Sequence, residues 1–204
     1  MANINNNTIF IHVPKTAGIS IGRLFLNDPT YRGDHNRLED KYIESNWNKF
    51  MICRNPFDRF ISAYEYQKKL AILGVGLKFQ QRKYLNQNPN STFSQFVNFI
   101  YKNKRLDELH TRPQKYWIRS IGGIPLKNLK IIRFENLQEE LDEYFTQIGI
   151  QTFTLGTENK SERKNFFEYY SNPTVISQVQ ELYHQDFKMF GYSQDINIAA
   201  NGKS

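Results

Sequence analysis

The chain of 204 residues holds a single cysteine, Cys53, which excludes an internal disulfide framework and a cysteine-based zinc site. Cys53 ends the apolar run "FMIC" and is expected to be a small buried hydrophobe. No apolar run reaches the roughly 18 residues that a membrane span requires. The opening "MANINNNTIF" lacks the basic and long apolar regions of a secretory signal, so a soluble, cytoplasmic protein is the expectation. Asn-x-Ser/Thr matches at Asn6, Asn90 and Asn159 have no secretory context and read as accidental. Internal repeats, low-complexity linkers and long blocks of one charge are also lacking.

What is present suffices for a core: 39% hydrophobic and 15% aromatic residues, at a length suited to one domain. A single domain over residues 1–193 and a loose tail over 194–204 are expected. The net charge of +7 favours an anionic partner. Its basic residues are scattered, which disfavours a nucleic-acid arm.

Three short apolar runs, "NTIFIHV" from Asn7, "KFMIC" from Lys49 and "LKIIRF" from Leu129, read as strands buried on both faces. Helical spacing follows each of them: residues 16–25, the segment opened by Pro56, and "ENLQEELDEYFTQIG" closed by Gly149. Ser91 or Ser94 is expected to cap the helix "FSQFVNFIYKNK". A turn and a further helix are expected in "DELHTRPQKYWIRSIG", and one last helix of about four turns in "TVISQVQELYHQDFKMFGY". Strands alternating with helices predict an α/β fold: a three-layer, P-loop-like domain whose central, mainly parallel sheet is flanked by helices.

Ligands of such sheets gather beyond the carboxyl ends of the strands. Two strand-to-helix junctions lie there, "HVPKTAGIS" and "CRNPFDRFISAY". In the first, amides of Thr16 to Gly18 can face an anion at a helix N-terminus, Gly18 allows close approach and Lys15 adds charge. In the second, Arg54 leaves the strand directly and Ser62 follows eight positions later. A triphosphate loop would need G-x-x-x-x-G-K-[ST] and a carboxylate for magnesium, whereas Lys15 precedes the glycine and the second strand ends in arginine. Two cationic strand ends suit a doubly phosphorylated ligand held without metal.

These residues resemble the sulfotransferases that use 3′-phosphoadenosine 5′-phosphosulfate (PAPS), most closely the carbohydrate, Golgi-type branch. "PKTAGIS" is similar to their phosphosulfate loop, and "RNPFDRFISAY" to their 3′-phosphate motif. "IIRFENL", "NKSERKNFFEYY" and "LYHQDFKMFGY" extend the resemblance across most of residues 8–192. The resemblance implies that Lys15, with Thr16, Ala17, Gly18, Ile19 and Ser20, grips the phosphosulfate, and that Arg54 and Ser62 hold the 3′-phosphate. It implies that Arg163 and Lys164 belong to a basic loop closing over the nucleotide. It further implies PAPS as donor, adenosine 3′,5′-bisphosphate as product, no metal, and a hydroxylated glycan or small molecule as acceptor. The scattered charge and the short apolar runs leave neither nucleic acid nor membrane as an expected partner. Ile19 stands where a threonine is common, and only 39 positions separate Lys15 from Arg54, which argues against a long-chain acceptor.

Sulfuryl transfer to a hydroxyl benefits from a base of near-neutral pKa. Of four histidines, His12 in the first strand and His184 on the last helix read as structural. His35 lies in the polar segment before the second strand, where the resemblance implies a catalytic histidine in some members, and is the first candidate for the base, with Asp34 beside it to orient the ring. His110 is the second, and a glutamate or no side-chain base remains open. Two other readings stay in view: an atypical P-loop nucleotide kinase and a non-enzymatic polyanion-binding module.

Overall fold

The computed structural model describes residues 3–5, 7–106, 108–156 and 163–200. In chain order its elements begin with β1 (Asn3–Asn5), β2 (Thr8–Ile11), α1 (Gly18–Phe25), β3 (Asn48–Cys53), α2 (Pro56–Ile72), α3 (Gln80–Gln87) and α4 (Phe93–Asn103). They continue with β4 (Leu129–Arg133), α5 (Leu137–Gln147), α6 (Phe166–Tyr169), α7 (Pro173–Leu182), α8 (His184–Phe190) and α9 (Ile196–Ala200). The chain divides into two compact units, Met1–Arg54 with Gln114–Lys160, and Asn55–Pro113 with Ser161–Ser204.

The first unit carries the sheet, in the order β1-β2-β3-β4. Strands β2, β3 and β4 run parallel, with Ile9 beside Lys49 and Met51 beside Ile131, and β1 joins the edge antiparallel to β2. The α/β class and mainly parallel sheet expected from the sequence are therefore those of the structure. The antiparallel edge is an addition, because three asparagine-rich residues carry no periodic signal. Strand alternation sends Phe10, Phe50, Ile52 and Ile132 to one face, where Ile21 and Phe25 of α1 and Leu141 and Phe145 of α5 close over them. Phe50 anchors this core, with ring centroids 5.0 Å from Phe10 and an edge-to-face contact at 5.4 Å with Phe145. Ile9, Ile11, Met51 and Cys53 on the other face are buried as well.

In the second unit, α2 starts where the Asn55 side chain accepts from the amide of Phe57 and Pro56 opens the first turn. The expected serine cap of α4 is replaced by Thr92, whose hydroxyl and Gln95 form a reciprocal capping box. Ser91 instead turns inward, and its carbonyl accepts from the Tyr64 hydroxyl at 2.8 Å. Helix α3 forms in a polar stretch without an apolar period, because two of its buried residues, Gln81 and Arg82, are themselves polar. Gln81 donates to Thr111 Oγ1 and the Arg105 carbonyl, and Arg82 donates to Gln67 Oε1.

Three further expectations are corrected. The helix foreseen after a turn within residues 107–122 is only a 3-10 turn, Gln114–Ile118, where the Gln114 side chain is engaged in the sheet unit and Trp117 is fully buried. The single last helix is two, α7 and α8, because Tyr183 leaves helical dihedrals while its buried hydroxyl donates to the Thr111 carbonyl. Where a loose tail is expected, Ile196–Ala200 forms α9 and buries Ala199. Asn6, Asp107, Asn159 and residues 201–204 of the expected features lie outside the described residues.

Candidate active site

Strand β2 stops at Ile11, and the chain reverses over Val13 to Ala17 before α1 begins at Gly18. Two non-glycine residues take left-handed backbone here, Lys15 with φ 70 and Ala17 with φ 63. The turn is braced inside by the Thr16 hydroxyl, which is buried and donates to the Val13 carbonyl at 2.9 Å. Ala17 occupies the N-cap without a side-chain cap, and the first turn of α1 contains no acidic residue. The first amides of a helix have no partner within it, so those of Gly18, Ile19 and Ser20 make an electropositive end. Lys15 stands half-buried two residues before the N-cap, so a side-chain charge accompanies the helix dipoles.

Arg54 follows β3 without a break and is 7% exposed. Its Nη1 donates to the Lys15 carbonyl at 3.0 Å, and its guanidinium lies 4.1 Å from the Phe134 ring centroid. Its main chain is clasped by Gln114, whose Oε1 accepts from the Arg54 amide at 3.0 Å and whose Nε2 donates to the Arg54 carbonyl at 2.8 Å. Three segments thus converge on one residue: the loop after β2 and the end of β4 on its guanidinium, and the 3-10 turn at Gln114 on its main chain. Gln114 and Phe134 were not among the expected site residues. Gln114 is 60 residues away in the chain and leaves no local pattern.

His12 directly follows β2 and is 2% exposed. Its Nδ1 lies 2.9 Å from the Tyr31 hydroxyl, which also accepts from the Asp34 amide at 3.0 Å. The ring packs on α1 so closely that a Cβ on Gly18 would sit 1.9 Å from His12 Cδ2. His35 reaches the same place: its ring centroid is 4.1 Å from that of His12, edge-on. Its Nδ1 is 3.4 Å from the His12 carbonyl, which can only accept, so Nδ1 carries the proton and Nε2 keeps the lone pair of the neutral ring. The Trp117 indole donates to the His35 carbonyl at 2.9 Å and fixes this backbone. Lys15, Arg54 and His35 are all in the first unit.

The remaining expected residues belong to the second unit and are described within it. Ser62 lies on α2, 8% exposed. Arg163 forms an ion pair with Asp58, in the first turn of α2, at 2.6 Å. Lys164 is exposed, and its amide donates to the Tyr169 hydroxyl at 3.2 Å. The residues 157–162 just before them lie outside those described. His110 packs against Tyr66 with the rings tilted by 45° and centroids 4.7 Å apart. His184, at the start of α8, is exposed. Among the described residues, no group of three or more His, Cys, Asp or Glu gathers as ligands for a cation.

An electropositive helix end beside a lysine, reinforced by a buried arginine and flanked by an imidazole, can bind an anionic group and exchange a proton near it. No curated protein and no solved structure matches the chain. A model of the sulfotransferase family matches residues 2–193. With that match over nearly its whole length, the chain belongs to the sulfotransferase family.

Proposed function

We propose that this protein transfers the sulfuryl group of PAPS to a hydroxyl of a carbohydrate or small natural product, by in-line displacement without a metal. One observation carries the reading: the Arg54 guanidinium grips the Lys15 carbonyl at the uncapped N-terminus of α1. The residues present fit such a donor, because no side chain caps the first amides of α1 and no carboxylate of the first turn competes for them. When bound, the donor supplies a sulfuryl group whose leaving group is a phosphate.

The chain's own groups then divide the work. Amides of Gly18, Ile19 and Ser20 and the Lys15 ammonium oppose the negative charge that grows on the leaving oxygen. Thr16 braces the loop through Val13. His35 takes the acceptor proton at Nε2, with Nδ1 held by the His12 carbonyl. The resemblance gives Ser62, Arg163 and Lys164 to the nucleotide, and those roles are part of this proposal.

Calorimetry with adenosine 3′,5′-bisphosphate tests the binding step, and transfer from labelled PAPS to a panel of hydroxylated acceptors in EDTA tests the reaction. Lys15→Ala should weaken nucleotide binding at least tenfold, as loss of a charged hydrogen bond does. Unchanged affinity in that variant would overturn the assignment.

A further inference from the structure

From Tyr66 to Leu106 the chain contains eight Lys and Arg and no Asp or Glu. The other residues carry 19 basic side chains against 20 acidic ones, so the whole net charge of +7 arises in this one stretch. The stretch lies entirely in the second unit, and its charge is spread over α2, α3, α4 and their turns. At the end of α2, the Val75 amide donates to the Leu70 carbonyl at 2.9 Å and Gly74, with φ 68, donates to Ala71 at 3.1 Å. This paired closure on a left-handed glycine is a built turn. A second turn follows, with Gly76 at φ 69 accepting from Phe79 at 3.1 Å.

These hydrogen bonds hold four apolar side chains out in solvent: Ile72 is 68% exposed, Leu73 64%, Val75 48% and Phe79 42%. Lys68, Lys69, Lys78 and Lys83 flank them and form no ion pair among the described residues. Exposed aliphatic side chains on a braced turn mark an interaction surface. The surrounding charge says what it meets. Glu65 adjoins Lys68, Lys69, Ile72 and Leu73, but the four lysines leave the surface positive, so two copies would repel one another. A nucleic acid gains nothing from Ile72, Leu73 and Val75, which cannot stack on bases. A bilayer with anionic headgroups satisfies both halves, because apolar tips enter the headgroup–acyl boundary while lysines reach lipid phosphates.

We propose that the turn Ile72–Phe79 docks the protein on anionic membrane surfaces, peripherally and without spanning them. The full chain should sediment with vesicles of phosphatidylglycerol and phosphatidylcholine, and not with phosphatidylcholine alone. Lys68→Gln, Lys69→Gln, Lys78→Gln and Lys83→Gln should each lower the vesicle partition about fivefold. Leu73→Ser with Val75→Ser should lower it about tenfold or more. Thermal melts should match the wild type, since all six positions lie at the surface. Val75→Trp should shift its emission to the blue on vesicle addition. Equal binding to neutral vesicles overturns the proposal. So does loss of binding in the lysine variants with full retention in the serine variant, which would make the surface a site for soluble polyanions.

Discussion

The Arg54 guanidinium donates to the Lys15 carbonyl at 3.0 Å, so the cation that ends β3 holds the backbone that presents the cation after β2. Arg54 is therefore a loop-positioning residue as well as a candidate ligand. Its planar fork also stacks on Phe134, which a lysine ammonium cannot reproduce. Arg54→Lys keeps the charge but should cost about 1.5–3 kcal/mol, the range for hydrogen bonds to charged groups. Scanning calorimetry should show a lower melting temperature, and titration should show adenosine 3′,5′-bisphosphate affinity falling with it. A variant that loses affinity at unchanged melting temperature would confine Arg54 to the ligand.

Ala17 sits at φ 63, where an L side chain is strained and glycine is not. Ala17→Gly relieves the strain but adds freedom to the unfolded chain, for a net gain of about 0.5–1 kcal/mol. Gly18→Ala acts in the opposite direction. Its Cβ would meet three atoms of the buried His12 ring at 1.9 to 2.7 Å, so the ring or the start of α1 must move. A loss of about 1–3 kcal/mol is expected, as for overpacked cores. Urea denaturation of the pair should separate by sign, and Gly18→Ala should also lose nucleotide binding.

The parallel sheet was legible because β2, β3 and β4 are short apolar runs ended by Pro14, Arg54 and the start of the next helix. Lys15 and Arg54 were legible for the same reason, since each follows its strand in sequence. Helix α3 was not, because Gln81 and Arg82 occupy its buried face and hide the apolar period. The break at Tyr183 depends on a carbonyl at Thr111, 72 residues away, which no local window contains. Likewise Gln114, Phe134 and Tyr31 support Arg54 and His12 only through tertiary contacts. Charge gave its own lesson: the basic residues look scattered one by one, and what sets Tyr66–Leu106 apart is the missing acids.

His35 and His110 can be told apart by transfer kinetics. His35 stands edge-on to His12 beside the phosphosulfate loop proposed above, whereas His110 packs tilted against Tyr66. His35→Ala should lower kcat about 10²–10⁴-fold, the usual contribution of a general base, with nucleotide affinity unchanged. His110→Ala should leave kcat within about tenfold and act on KM for the acceptor. The reverse pattern would move the base to His110. Ile19→Thr restores a hydroxyl to the first turn of α1 and should tighten nucleotide binding by about 1 kcal/mol, one ordinary hydrogen bond.

Alkaline pH should unfold the protein through its tyrosines. Burial, with the Glu65 carboxylate accepting from its hydroxyl, pushes the Tyr169 phenol from 10.0 up to about 12. Burial likewise raises Tyr64, Tyr170 and Tyr183. The folded state thus keeps protons that the unfolded chain has released. The tyrosine contribution is complete below pH 10 and is lost as pH rises from 10 through about 12. Lys49 opposes this: burial lowers its pKa below 10.5 although Nζ donates to the Ser45 and Trp47 carbonyls, so the unfolded chain binds the extra proton there. Its effect is a rise in stability with pH just under 10.5, small against several tyrosines. Urea midpoints measured across that range should fall steeply in the wild type and less steeply in Tyr169→Phe. A parallel fall in both would remove Tyr169 from the transition.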